Sequence, residues 1–283
     1  MRKPLVTLYT PGNRPDLVEK AYKYDPDAII IDLEDAVPVH LKEKTRHEVA
    51  KLIPALNVQS FVRVNGEPEF LEDDLKAVVS RHICGITLPK PDSVDLVKKA
   101  DGIIGSLERE RNLEPNSVKL MLLMETALSV LRCFEVATAA KRVESVVFGG
   151  AEGADLQRSL KCAWSLEGTE MLYARSKVVL EGRAAGVKYV LDGVFSDIQN
   201  DEALKADCIL SRRLGYDGRP LIHPRHISIA RGIYAPKPEE LEYSRRLIAA
   251  FEEAESRGLA AISFEGKLVD YAMYKNAREL LSS

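Results

Sequence analysis

Short, continuous apolar runs alternate along this chain with segments whose apolar residues recur at helical spacing. The runs lie at residues 5–9, 28–32, 60–65, 85–90, 119–124, 145–148, 187–192 and 219–223. Apolar runs of this length make strands buried on both faces, as in a parallel sheet covered by helices. Helical patterns fill the gaps, beginning at Pro15 and covering residues 41–55, 70–80, 93–111, 127–140, 167–185 and 201–214. Pro11-Gly12 punctuates the first transition, and Pro15 opens the helix that follows, where a missing N–H costs nothing. Eight strands interleaved with helices, with no break in composition, predict a (β/α)8 TIM barrel over residues 1–235. An open doubly wound sheet is the alternative. Against it, no Gly-rich dinucleotide fingerprint follows the first strand.

After Ala235-Pro-Lys-Pro the pattern changes. Residues 239–257 predict an amphipathic helix, 258–264 a strand, and 265–270 the approach to a final helix. Residues 236–283 are therefore expected to form a C-terminal helical extension, packed on the barrel or reaching over a neighbouring subunit.

Composition narrows the partners. The 283 residues are 46% hydrophobic and 29% charged, with a formal net charge of −3. That length accommodates a barrel of about 250 residues with an appendage. The near-neutral balance gives no electrostatic ground for nucleic acid or an anionic membrane as partner. Anionic small molecules remain, since a local basic cluster suffices for them. Cys84, Cys133, Cys162 and Cys208 are scattered without a CxxC pair and read as reduced thiols. The chain runs Met-Arg-Lys-Pro straight into a strand, with no signal-peptide pattern. No apolar run approaches the ~20 residues of a membrane helix. A cytoplasmic protein is expected.

Charge gathers where strands end. Leu120-Met-Leu-Leu-Met-Glu125 and Val146-Val-Phe-Gly-Gly-Ala-Glu-Gly-Ala-Asp155 each carry an apolar run into small residues and a carboxylate. In a barrel the carboxyl ends of all strands open on one face. Two acids delivered there by neighbouring strands could hold a divalent metal between them; either alone could equally cap a helix or sit in solvent. Asp32, Glu34 and Asp35, then Arg63, Lys90 and Glu152, occupy further strand ends and loops. Arg63 closes an apolar run, where an unpaired guanidinium would be costly, so an ion pair with the acids after the second strand is one reading of it. His223 and His226 read as structural, neither having a metal partner at helical spacing.

The motifs Thr10-Pro-Gly-Asn-Arg-Pro15, Ile31-Asp-Leu-Glu-Asp-Ala-Val37, Val62-Arg-Val-Asn65, Leu88-Pro-Lys90, Met124-Glu-Thr-Ala127 and Ile222-His-Pro224 occur together and in order. With Ser165-Leu-Glu-Gly-Thr-Glu, Tyr234-Ala-Pro and Phe264-Glu-Gly-Lys-Leu-Val-Asp270, the whole chain resembles the citrate lyase β-subunit family, which includes malyl-CoA and citramalyl-CoA lyases. The resemblance implies a homotrimeric TIM barrel that binds Mg2+ through two carboxylates. Glu125 matches the first ligand. Asp155 is taken as the second by counting back from Glu167; counting forward from Glu125 falls nearer Glu152, because the loop is two residues longer than the family's Gly-Ala-Glu-Asp. The implied reaction cleaves a 3-hydroxy-3-carboxyacyl thioester (citryl-, citramalyl- or malyl-CoA) to acetyl-CoA and a 2-keto acid. Arg63 would stabilise the enolate oxygen, with Asp32 and Glu34 holding it. Asp270, from a neighbouring subunit's tail, would protonate the enolate carbon. Arg14 and Lys90 would meet the CoA phosphates. Two rival readings are a pyruvate-class aldolase acting on free keto acids and a non-catalytic subunit that binds acyl carriers within a larger lyase complex.

Overall fold

Eight parallel strands form one sheet in the computed structural model, which describes residues 3–282. They are β1 (Val6–Pro11), β2 (Ala28–Asp32), β3 (Ser60–Arg63), β4 (Gly85–Pro89), β5 (Lys119–Met124), β6 (Val143–Phe148), β7 (Tyr189–Leu191) and β8 (Arg219–Leu221). Their order in the sheet is β7-β6-β5-β4-β3-β2-β1-β8. The two ends meet at an isolated parallel bridge between Leu191 and Gly218. There the Asp192 N–H donates to the Gly218 carbonyl and the Asp217 N–H to the Val190 carbonyl, both at 2.9 Å. The sheet thus closes into a barrel. Around it run α1 (Pro15–Lys20), α2 (Lys42–Leu52), α3 (Pro68–Val78), α4 (Val94–Glu110), α5 (Ala127–Leu131), α6 (Cys133–Ala137), α7 (Asp155–Leu160), α8 (Leu172–Ala185), α9 (Asp201–Leu214) and α10 (Ile227–Tyr234).

Why the strands are apolar throughout is visible in how they pack. Alternate residues of each strand face opposite ways. Ile29, Ile31, Val62, Ile86, Leu122 and Val146 pack outward with helix residues such as Val49, Leu71, Val97, Val178 and Leu204. Ile30, Phe61, Met121, Leu123, Val147 and Leu191 form a separate cluster inside the barrel. Each fully buried side chain of this kind stabilises the fold by roughly 1.5–3 kcal/mol.

The last two strands are shorter than the apolar pattern predicts. The Val187 N–H closes the C-terminus of α8 on the Gly182 carbonyl, with Gly186 at φ +74°, so the chain is still leaving a helix there. At the other end His223 already caps a short 3-10 turn, its Nδ1 accepting from the Arg225 N–H at 3.2 Å. The helix expected over 127–140 is two pieces, broken at Arg132 (φ −103°, ψ 18°). The helix expected from 167 starts only at Leu172, because the Glu170 carboxylate ties back to the Ser165 N–H and hydroxyl at 2.8 and 2.6 Å.

The chain divides into two compact units between Tyr234 and Ala235. The second contains α11 (Pro238–Ser256), an antiparallel hairpin of β9 (Ala261–Phe264) and β10 (Lys267–Asp270), and α12 (Tyr271–Ser282). The extension is therefore helix, hairpin, helix, where the pattern predicts mainly helix. Glu265 and Gly266, at φ +49° and +77°, supply the tight turn that reverses the chain. Leu247, Phe251, Val269 and Ala277 form this unit's own core, with the Phe251 ring 4.9 Å from that of Tyr274. Among the described residues no helix is long and apolar enough to cross a membrane.

Candidate active site

The carboxyl ends of the barrel strands surround a cavity of about 470 Å3, whose lining includes Tyr9, Asp32, Arg63, Leu123, Glu125 and Asp155. Small-molecule sites in barrels open on this face.

Asp32 ends β2 and Arg63 ends β3, and the two are register partners. The guanidinium grips Asp32 with two parallel bonds, Nε to Oδ1 at 2.8 Å and Nη2 to Oδ2 at 2.7 Å. Its remaining nitrogen lies 3.0 Å from Glu34 Oε2 and 3.3 Å from Asp35 Oδ2. The Tyr9 ring stands 5.2 Å from the guanidinium carbon. Burial pulls the Arg63 pKa down, but Asp32, Tyr9 and Glu34 together hold it well above its ordinary value. Arg63 is thus a permanent cation fixed in one orientation.

Beneath these strand ends lies a layer of polar residues that sequence reasoning missed. Lys42 donates to the Glu34 and Leu33 carbonyls at 2.9 and 3.3 Å and to Asn65 Oδ1. Asn65 donates to the Leu33 carbonyl at 3.0 Å and to Asp74, which Arg46 holds at 3.0 Å. All four side chains are buried. Lys42 and Asn65 satisfy the Leu33 carbonyl where β2 leaves the sheet, and Lys42 adds a second bond to the Glu34 carbonyl, which helps aim the Asp32–Glu34 segment. Asn65 lies within Val-Arg-Val-Asn; Lys42, opening a helix, carries no such signal.

Glu125 follows β5, and Thr126 caps α5 through a reciprocal pair with Ser129 while donating to Asp92. Gly149, leaving β6, must be glycine: a Cβ there would lie 2.3 Å from the Glu125 Cβ. Asp155 opens α7. Both acids face the Lys90 ammonium, which sits 2.9 Å from Asp155 Oδ2, 3.6 Å from Glu125 Oε1 and 2.6 Å from Glu34 Oε1. At 3.6 Å the ammonium is beyond hydrogen-bond reach, and the buried Glu125 Oε1 has no hydrogen-bond partner. Burial pushes the Glu125 pKa up to about 8, Glu34 adding to the rise and Lys90 and Arg63 opposing it. Burial raises Glu34 as well, against Arg63 and Lys90.

Two carboxylates aimed at one cationic point, one with an unsatisfied buried oxygen, fit a hard divalent ion that takes its other ligands from water or substrate. Among the described residues no group of three or more His, Cys, Asp or Glu could hold a metal by protein ligands alone. Asp155, and not Glu152, is the acid in this cluster; Glu152 is exposed on the preceding loop.

The other candidates lie elsewhere. Arg14 is exposed and paired with Asp16 at 2.9 Å. Lys90 points at the acids and is not free for phosphates in this arrangement. Asp270 belongs to the second unit, where its exposed carboxylate accepts from the Ala272 N–H at 2.9 Å. His226 is fully buried.

The profile of the HpcH/HpaI aldolase/citrate lyase family matches residues 5–224. The chain is 33% identical over 279 residues to the citrate lyase subunit beta of Escherichia coli K12, covering 97% of this chain and 91% of that one. It is 34% identical to a (3S)-malyl-CoA thioesterase of Cereibacter sphaeroides, covering 97% and 92%. The crystal structure of CitE from Mycobacterium tuberculosis with magnesium, acetoacetate and coenzyme A matches with a TM-score of 0.77 at 26% identity, over 99% of this chain and 97% of that one. With strands, cavity and profile in agreement, the chain belongs to the HpcH/HpaI aldolase/citrate lyase family.

Proposed function

We propose that this protein is a Mg2+-dependent carbon–carbon lyase acting on a 3-hydroxy-3-carboxyacyl-CoA thioester (citryl-, citramalyl- or malyl-CoA). The observation that carries the reading is the convergence of Glu125 and Asp155 in the cavity that also presents Arg63. The magnesium and coenzyme A bound to the Mycobacterium tuberculosis relative support it.

Glu125 and Asp155 would hold the ion. Bound there, it would supply Lewis acidity that makes the substrate hydroxyl easier to deprotonate. Once that proton passes to solvent water, the C–O bond becomes a carbonyl and the C2–C3 electron pair passes into the thioester. The products are a 2-keto acid and the enolate of acetyl-CoA. Arg63 stabilises the enolate oxygen: a planar cation, locked by two bonds to Asp32, needs no reorganisation as the charge develops. Glu34 holds the far side of the guanidinium. The enolate carbon then takes a proton from Asp270 of a neighbouring copy in a homotrimer; the exposure of that carboxylate supports this assignment. Arg14, on the barrel surface, is the candidate for CoA phosphates.

The test is to incubate the purified chain and Mg2+ with each of the three CoA esters and identify products by mass spectrometry. Acetyl-CoA with a 2-keto acid supports the lyase. Free CoA with the intact hydroxy acid would mean thioester hydrolysis, the reading favoured by the Cereibacter sphaeroides relative. Turnover of free keto acids without CoA would mean an aldolase. Activity only on an acyl carrier protein, with other subunits added, would mean a component of a larger complex.

A further inference from the structure

Lys90 stands in an unusual relation to the acids around it. Its backbone is at φ +47°, a region L side chains rarely adopt. From there the ammonium reaches Glu34 at 2.6 Å, Asp155 at 2.9 Å and Glu125 at 3.6 Å. A lysine titrates at about pH 10.4 in water, so beside these carboxylates the group is an ammonium at neutral pH. Its side chain is also 29% exposed, which leaves the flexible stem a route out of the cluster.

An ammonium among these oxygens and a divalent ion on Glu125 and Asp155 exclude each other. Both draw on Asp155 Oδ2 and both face Glu125 Oε1, and at about 4 Å a unit and a double charge repel twice as strongly as two unit charges. We infer that Lys90 is an internal counter-cation of the metal site. It holds Glu34, Glu125 and Asp155 together and is expelled when a divalent ion binds. Metal affinity is then the outcome of an exchange between two cations. The inference rests on the metal reading above, and its test separates the two.

The first measurement follows acylation of Lys90 in the wild-type chain by an amine-reactive ester, read by peptide mass spectrometry with and without saturating Mg2+. Exposed Lys51 serves as reference. Release predicts that Mg2+ accelerates modification of Lys90 at least about fivefold relative to Lys51. The second is Mg2+ affinity by calorimetry at pH 9 for wild type, Lys90→Met and Lys90→Arg. Removing the competing charge should tighten binding about tenfold or more in Lys90→Met and not in Lys90→Arg. Labelling of Lys90 unchanged by Mg2+, or a Lys90→Met affinity no tighter than wild type, would overturn the exchange while leaving the metal site standing. No heat of Mg2+ binding to the wild type would overturn both readings. The labelling arm needs no variant, so poor folding of Lys90→Met does not protect the inference.

Discussion

Arg63 is where stability and chemistry can be pulled apart. Its side chain is 11% exposed and that of its main partner Asp32 5%, so surface screening does not dilute the pair. Arg63→Met removes the cation and leaves Asp32 and Glu34 buried without it. Breaking a buried pair in this way costs roughly 3–5 kcal/mol, a large part of the roughly 5–15 kcal/mol that holds a domain together. Arg63→Lys keeps the charge but cannot make both parallel bonds to Asp32 at 2.8 and 2.7 Å. One lost charge-assisted bond is worth about 1.5–3 kcal/mol, so this variant should fold. It should nevertheless lose about 100- to 1000-fold in kcat, the usual cost of removing an aligned oxyanion donor. Urea unfolding measures the first quantity, and steady-state turnover of the best CoA ester the second. Arg63→Lys within tenfold of wild-type kcat would refute the oxyanion role. Arg63→Met as stable as wild type would refute the account of the ion pair.

The metal pair makes further predictions. The Glu125 pKa is raised to about 8, above its unfolded value, so the native state holds the proton longer than the unfolded chain does. Its ionisation therefore costs nothing below about pH 4 and erodes stability as pH rises to about 8; in chelator, Glu125→Gln should be more stable than wild type at pH 8.5, by roughly 2–4 kcal/mol, with the gap closing toward pH 5 in urea titrations. Asp155→Asn should abolish the Mg2+-induced rise in Tm while Glu152→Gln leaves it intact; the reverse would move the second ligand to Glu152. Gly149→Ala places a methyl 2.3 Å from the Glu125 Cβ. It should cost about 1–3 kcal/mol by overpacking and displace Glu125 enough to weaken Mg2+ binding in the same calorimetric assay.

How much of this is legible in the chain follows from which forces are local. Barrel strands are buried on both faces, so Ile29, Ile30 and Ile31 must all be apolar although Ile30 packs inward and its neighbours outward. That requirement writes the strand directly into the sequence. Asp32, Arg63, Glu125 and Asp155 are legible only as a set: each alone has an ordinary structural reading, but strand ends and the loops after them that all carry charge converge on one face of a barrel. The ends of β7 and β8 are not, because a helix cap at Val187 and a turn at His223 compete for residues that the apolar pattern assigns to the sheet. The break at Arg132 is equally silent, since the apolar spacing continues through it.

Lys42 and Lys90 show where local reading stops. Each is a lysine beside a helix or loop, and such residues are solvated in most proteins. Here Lys42 is buried under the Asp32–Glu34 turn and Lys90 is turned inward at φ +47°. What separates them from surface lysines is the acceptors that distant segments bring to meet them: Asn65 and the Leu33 and Glu34 carbonyls in one case, the Glu34 and Asp155 carboxylates in the other. No pattern within either segment contains that information. The two have opposite consequences for the chemistry. The Lys42 ammonium bonds two backbone carbonyls and a neutral amide, none of them proposed to bind metal, so it stays in place and stiffens the floor beneath Arg63. Lys90 bonds Asp155, which the reaction is proposed to need for its metal, so its grip has to be reversible. A site built this way exchanges one cation for another at Asp155, an ammonium on a flexible stem for a divalent ion.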